Sequence, residues 1–239
     1  MGNYLDISQE ERGKNIFRVL TIERLIEMFE KKINTLVKPE RWDDPFENFI
    51  LNIPVKNSKG EDRKSMLRNR SYGQCWTLTR ESDAMWRIYA PDKNGVKINT
   101  KIRKLYKSLH DAQSSYANIS CFIGKVEYYP KDKINQIIDD RIEGTKQFDG
   151  SIGQAKSLLF KRAAFQHEKE IRLIYLDPNN QVDSEHYHYH CDPTSLIDGI
   201  TFDPRMSPRL YKIFKKYLIE IGYKGKIIQS GLYRAPNFD

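Results

Sequence analysis

The chain has little cysteine: Cys75, Cys121 and Cys191 are widely spaced and none belongs to a C-x-x-C pair. That spacing supports neither a disulfide framework nor a zinc knuckle, and it fits a reducing cytoplasm. Long apolar runs are absent too. The stretch from Met1 to Lys14 is polar and lacks the apolar core of a signal peptide, and no later run approaches the ~20 residues that span a bilayer. A soluble cytoplasmic protein with no membrane partner is expected. No G-x-G-x-x-G, G-x-x-x-x-G-K-[ST] or G-x-S-x-G occurs. A Rossmann dinucleotide site, a P-loop and a hydrolase elbow therefore lack support.

What is present is length and positive charge. A chain of 239 residues with no linker fits one α+β domain spanning 1–239. Its 40 Lys+Arg exceed 32 Asp+Glu, giving a net charge of +8, which favours a polyanionic partner such as nucleic acid.

Taken in order, Ile16–Leu20 reads as a strand, and Thr21 caps a helix with Ile22, Leu25, Ile26 and Phe29 at helical spacing. Thr35–Val37 is a short extended piece. Arg41–Glu47 reads as a corner held by aromatics. Residues near 52–70 are polar and form the expected mobile segment, with a basic helix from Asp62 to Arg70. Tyr72–Thr79 returns to strand, Ser82 caps a short helix with Met85, Trp86 and Tyr89 on one side, and Val96–Ile98 extends again. A helix with Ile102, Leu105, Tyr106 and Leu109 inward presents Lys101, Arg103 and Lys104 outward, the expected nucleic-acid surface. Ile119–Tyr129 reads as one long strand with a bulge at Gly124, Asp132–Ile142 and Gly153–His167 as helices, and Leu196–Phe202 as a strand. Arg209–Ile221 is a helix stopped by Gly222, and Lys226–Gln229 is the closing strand. Strands and helices interleave without a strict βαβ repeat, so the sheet should be mixed or mainly antiparallel with flanking helices.

Two clusters carry possible chemistry. In Phe165–Leu176, period two places Glu168, Glu170 and Arg172 on one face, and Lys161, Arg162 and His167 arrive just before them. Such a face is commonly a salt-bridged surface, but the convergence of acids and bases points to a site. His186, His188 and His190 alternate and would share one side of a strand, a weak metal candidate; an edge strand with Tyr187 and Tyr189 packed inward is the favoured explanation of the pattern. Asp43, Asp44, Glu168, Lys169 and Glu170 are also what a Mg²⁺-dependent nuclease would use.

Several pieces together resemble an uncharacterised bacterial family: Phe17-Arg18, Trp42-Asp43-Asp44-Pro45-Phe46-Glu47, Cys75-Trp76-Thr77, Met85-Trp86-Arg87-Ile88-Tyr89, and Lys161-Arg162 with Glu168-Lys169-Glu170-Ile171-Arg172. The family pattern is F-N-D-P-F-[DE], S-[FW]-[ST], M-W-x-x-Y and K-R-x-x-x-x-x-E-x-E-x-R, and this chain departs from it at Trp42 and Asp43. More distantly the order resembles the ADP-ribosyltransferase fold. That resemblance implies an NAD-dependent transferase of toxin or phage-defence type, needing no metal, acting on RNA or DNA and held by an antitoxin or chaperone. It implies Arg18 for the pyrophosphate of NAD, Thr77 for the nicotinamide pocket, Glu170 as the catalytic carboxylate and Glu168 toward the acceptor. Thr21 and Trp76, beside Arg18 and Thr77, are further cofactor-binding candidates. Cys75 replaces an expected Ser, and the span from Thr77 to Glu170 implies inserted helices. The alternatives are a metal-dependent nuclease and a non-catalytic nucleic-acid or partner-binding module.

Overall fold

Alternation along Ser71–Thr77 decides how the rest of the chain is arranged. Tyr72, Gln74 and Trp76 point to one face of that strand, and Gly73, Cys75 and Thr77 to the other. The computed structural model describes residues 3–42, 44, 47, 55–56, 62–63, 70–142, 150–180 and 182–235. Within them the chain runs β1 (Tyr4–Leu5), β2 (Asn15–Thr21), α1 (Ile22–Lys31), β3 (Ile33–Val37), β4 (Val55–Lys56), β5 (Asp62–Arg63), β6 (Ser71–Thr77) and α2 (Asp83–Tyr89). It continues through β7 (Gly95–Lys101), α3 (Ile102–Ala112), α4 (Ala117–Ser120), β8 (Cys121–Lys125), β9 (Glu127–Tyr129), α5 (Lys131–Ile142), α6 (Gly150–Lys156) and β10 (Phe160–Arg162). Last come β11 (Glu170–Leu176), β12 (His186–His190), α7 (Pro193–Leu196), β13 (Gly199–Phe202), α8 (Pro208–Glu220) and β14 (Lys226–Gln229).

The main sheet follows the order β1-β8-β11-β6-β2-β7-β13-β14, with β3 branching from β6 and β12 pairing β3. Most pairs are antiparallel, while β1–β8 and β13–β14 are parallel, so the sheet is mixed as expected. The α+β class holds.

One face carries the main core, built from Ile16, Trp76, Ile98 and Leu173 under α1, α3 and α8. The helices form where their apolar stripes require. Thr21 Oγ1 accepts from Arg24 N to cap α1, and Ile22, Leu25, Met28 and Phe29 are its buried positions. On α3 the buried positions are Ile102, Leu105, Tyr106 and Leu109, the four read from spacing. Burying each such side chain contributes about 1.5–3 kcal/mol, and Leu105→Ala is the single change that would open this face, at about 2–5 kcal/mol. Among the described residues no helix is long and apolar enough to cross a membrane.

The other face carries a smaller core of Phe122, Leu158, Leu159 and Ile174. Here several expectations are corrected. Ile119–Tyr129 is not one strand: α4 covers 117–120, and β8 and β9 separate so that β9 can pair parallel with β10 in a second sheet. Gly124 is no bulge. It pairs regularly with Arg172, and Leu159 lies 2.3 Å from where its Cβ would stand, so close packing requires the glycine. The helix expected over Gly153–His167 ends at Lys156 and gives way to β10 and a 3₁₀ segment, Ala163–Glu168. The strand expected from Leu196 begins only at Gly199, after α7. Asp62 and Arg63 pair with Val55 and Lys56 rather than starting a basic helix, and the rest of the polar segment near 52–70, apart from Arg70, lies outside the described residues.

Candidate active site

Glu170 and Arg172 stand on the face of β11 opposite the main core, paired in register with Thr77 and Cys75 of β6. Ile171 and Leu173 take the core side, paired with Trp76 and Gln74. The expected common face of Glu170 and Arg172 is therefore present. Glu168 reaches it differently: it ends the 3₁₀ segment, and Lys169 at φ 45° turns the chain into the strand. A left-handed lysine costs roughly 1–2 kcal/mol, and the Leu78 N–H that donates to its carbonyl at 3.0 Å holds the turn.

These side chains meet in a buried ion network. Lys161 Nζ, from β10, donates to Glu168 Oε2 at 2.6 Å and to Glu170 Oε1, and lies 3.4 Å from Glu47 Oε1. Arg172 donates from Nε to Glu170 Oε2 at 2.8 Å, from Nη2 to Glu47 Oε1 at 2.7 Å and from Nη1 to the Leu158 carbonyl at 2.7 Å. Three carboxylates thus share two cations, and one retained proton brings the group to neutrality.

The surroundings of the three carboxylates favour that proton on Glu168. Burial, then the hydrogen bond with Glu170, pushes its carboxyl up to about 7, against the opposing pull of Lys161. Burial also disfavours ionised Glu170, but Arg172, Glu168 and Lys161 outweigh it and hold that carboxyl well below the usual range. Burial raises Glu47.

A cavity of about 400 Å³ opens onto this network. Small-ligand sites run from about 300 to 1,000 Å³. Its wall includes Phe17 and Arg18 of β2 and Ile88 and Tyr89 of α2. Arg18 is half-buried, and among the described residues its guanidinium has no hydrogen-bond or ion-pair partner. Burial lowers its pKa, yet the guanidinium remains charged. Trp42 Nε1 is a second donor without a partner among the described residues, and the indole lies under Arg172, 4.2 Å from ring centroid to Cζ.

The other expected site residues divide. Thr77 lines the cavity, and its hydroxyl donates to the Glu168 carbonyl while accepting from Thr79 N at 2.9 Å. Trp76 also lines the cavity, although its side chain is 2% exposed and packed in the main core, with the indole N–H donated to Gln74 Oε1 at 2.8 Å. Thr21 stands apart from the cavity lining, and its hydroxyl accepts the α1 cap bond from Arg24 N. Lys101, Arg103 and Lys104 line a separate cavity of about 570 Å³ with Tyr4, Tyr106 and His110. In that cavity Lys104 pairs with Asp198 at 2.5 Å.

On β12 the tyrosines point inward as the edge-strand reading requires; Tyr189 is buried and Tyr187 stacks on Tyr175 at 4.0 Å. His188 Nδ1 bonds Thr35 Oγ1 at 2.9 Å, and among the described residues no three His, Cys, Asp or Glu come together as a metal site. Of the acids a nuclease would use, Asp44 does reach the cavity, where Arg162 holds it at 2.8 and 3.1 Å. Asp43 lies outside the described residues.

Sequence reasoning missed three members. Glu47 and Trp42 belong to the corner at 41–47, whose aromatic and acidic content was the available signal. Spacing puts Tyr89 on one side of its short helix with Met85 and Trp86, but only Trp86 is buried there, and Tyr89 Oη stands 3.4 Å from Glu168 Oε1.

Residues 85–173 match a family described as a protein of unknown function (DUF2971). The match spans α2 to the middle of β11 and includes Lys161, Glu168, Glu170 and Arg172. No curated protein matches the chain. Solved structures of DarT from Thermus sp. 2.9, in complex with NAD+, with ADP-ribosylated ssDNA and with carba-NAD+, are similar at 12% identity. Their TM-scores are 0.41, 0.42 and 0.39, covering 94%, 95% and 91% of this chain and 97%, 97% and 96% of theirs. Likeness at this level carries nothing about the chemistry of this chain.

Proposed function

We propose that this protein transfers ADP-ribose from NAD to a nucleic-acid acceptor. The observation that carries the reading is one cavity that joins an unpartnered Arg18 to the carboxylates of Glu168 and Glu170. A guanidinium without a partner in a half-buried wall suits a diphosphate, because its planar fork donates two parallel hydrogen bonds. A carboxylate nearby suits the positive charge that develops on a ribose carbon as its bond to nicotinamide breaks. In that reaction the C1′–N bond breaks with its electron pair leaving on nicotinamide. A lone pair of the acceptor then forms the new bond to C1′, and the acceptor's proton passes to a carboxylate. The resemblance of Phe17-Arg18 and Glu168-Lys169-Glu170 to the transferase pattern supports the same reading.

The nuclease reading is the weaker one. Asp44, Glu47 and Glu170 are each already compensated by Arg or Lys, whereas divalent-cation sites leave carboxylate oxygens for the metal. For the acceptor, Lys101 and Arg103 flank the second cavity without an ion-pair partner among the described residues, and they would hold phosphates there. An antitoxin or chaperone partner fits a transferase of toxin or defence type.

Release of nicotinamide from NAD by the purified protein, with RNA, DNA and protein acceptors and with chelator present, tests the reading. Release that survives chelation and falls at least about 100-fold in Arg18→Ala is expected. NAD left intact with every acceptor, beside metal-dependent cleavage of nucleic acid, would remove the transferase reading.

A further inference from the structure

We propose that Glu168, rather than Glu170, is the carboxylate that faces the reacting sugar, and that Glu170 is a positioning residue that aims Glu168 through Lys161. The inference rests on the ADP-ribosyl transfer reading and divides the roles within it.

The two carboxylates are not equivalent. Both oxygens of Glu170 are taken, Oε1 by Lys161 and Oε2 by Arg172, and its side chain is 5% exposed. Its backbone N–H is fixed as well, donated to Tyr128 Oη at 2.8 Å. A carboxylate neutralised by two buried cations has little charge left to stabilise a cation on the substrate. Glu168 is the opposite case. Glu168 meets one cation instead of two: Oε2 accepts from Lys161, the carboxyl shares a hydrogen bond with Glu170, Oε1 has only the long 3.4 Å contact with Tyr89 Oη, and the side chain is 12% exposed toward the cavity. Its backbone is locked by the Thr77 hydroxyl on its carbonyl and by the left-handed turn at Lys169, so the carboxyl is presented by a rigid segment.

Lys161 connects the two. It bonds one oxygen of each carboxylate, so the Glu170–Arg172 pair fixes where its ammonium sits, and the ammonium fixes Glu168. The charged and titratable groups around Glu168 are Lys161 from β10, Glu170 from β11, Tyr89 from α2 and Tyr128 from β9, with Glu47 behind Lys161. Their balance leaves Glu168 protonated below neutrality, consistent with a group that turns over a proton. When the C1′–N bond breaks, ionised Glu168 faces the positive sugar; when the acceptor's lone pair closes on C1′, the acceptor's proton goes to Glu168.

Two measurements test the division. In the first, nicotinamide release is followed against pH for wild type, Glu168→Gln and Glu170→Gln. Wild type should gain activity as pH rises through about 7. Glu168→Gln should lose about 100-fold or more, the scale of positioned proton transfer, together with that limb. Glu170→Gln should lose only about tenfold, and its limb should move to lower pH, because removing a neighbouring anion eases ionisation of Glu168. A merely structural role for Glu170 would leave the limb in place. Background activity in Glu170→Gln with Glu168→Gln within tenfold of wild type would overturn the proposal while leaving the transferase reading intact. No release by wild type would remove that reading first.

The second measurement needs no turnover. Carboxyl ¹³C NMR of the wild-type protein should show one glutamate titrating near 7 whose resonance moves on adding NAD. Its absence from the spectrum of Glu168→Gln assigns it. Persistence of that signal in Glu168→Gln would overturn the proposal whatever the enzyme assays show.

Discussion

Glu168 should make the folded protein less stable as pH rises through neutrality, and Glu168→Gln should abolish that dependence. The carboxyl is held near 7 against an ordinary 4.5. The folded state therefore keeps a proton that the unfolded state has already lost, so stability declines as pH rises from about 4.5 and the loss is complete above about 7. At about 1.4 kcal/mol for each tenfold, the loss grows from under about 1 kcal/mol at pH 5 to about 3 kcal/mol at pH 8. Glu170 acts in the other direction: its lowered carboxyl adds stability above about 4.5 that is lost as pH falls. Gln keeps the shape of protonated Glu and its ability to accept from Lys161, so the variant should match wild type at pH 5 and exceed it by up to about 3 kcal/mol at pH 8. Urea unfolding of both proteins at pH 5, 6, 7 and 8 reads this directly, as a midpoint difference that opens to about 1 M. Taking the difference between the two proteins cancels other titrating groups, including His188, whose pKa burial lowers. Parallel curves, displaced equally at every pH, would refute the proton assignment and with it the account of three carboxylates sharing two cations.

Other outcomes follow from the same contacts. Lys161→Met should destabilise by about 3–5 kcal/mol in urea, because it strands buried carboxylates, and it should do so more at pH 8 than at pH 5. Gly73→Ala should cost about 1–3 kcal/mol and quench or shift tryptophan fluorescence, since a Cβ there would stand 2.4 Å from Trp42 and force its ring off Arg172. Arg18→Ala should change the unfolding midpoint little, since no hydrogen bond or ion pair among the described residues is lost, while weakening NAD binding by calorimetry about tenfold or more. Charge reversal at Lys101 and Arg103 should weaken single-stranded DNA binding and flatten its salt dependence, as fluorescence anisotropy at several salt concentrations will show.

Local chemistry was legible in the sequence wherever one physical rule dominated. The stripe Ile102, Leu105, Tyr106 and Leu109 fixed α3, the Thr21 and Ser82 caps fixed two helix starts, and period two placed Glu170 with Arg172. Errors gathered where tertiary packing overrode periodicity. The helical pattern of 153–167 is cut at β10 because Lys161 is needed beside Glu170, and the apolar run through 119–129 is split because its two halves join different sheets. Trp76 and Trp42 show the same limit in one pair. Sequence makes each an aromatic beside polar residues; only the register, with Trp76 opposite Ile171 and Gly73 opposite Ile174, sends the first into the core and leaves a glycine surface for the second.

That register explains why a site forms at this place. A strand pair burying alternating residues on both faces must either fill the second face with apolar groups or satisfy whatever polar groups stand there. Toward Ile174 the second face is apolar and closes over Leu158 and Leu159. Toward Glu170 it is charged, and closure comes instead from residues distant in sequence: Glu47 from the corner, Lys161 from β10 and the Glu168 turn. Replacing such a network by apolar residues of equal volume often stabilises a protein. On the proposed transferase reading, its presence here, opening onto a cavity with an arginine that is unpartnered among the described residues, is a stability cost accepted for chemistry. The consequence is measurable: a Glu47→Leu, Lys161→Met, Glu170→Leu, Arg172→Met variant should unfold at equal or higher urea than wild type and release no nicotinamide. A quadruple variant that is both less stable and still active would show that the network serves folding alone.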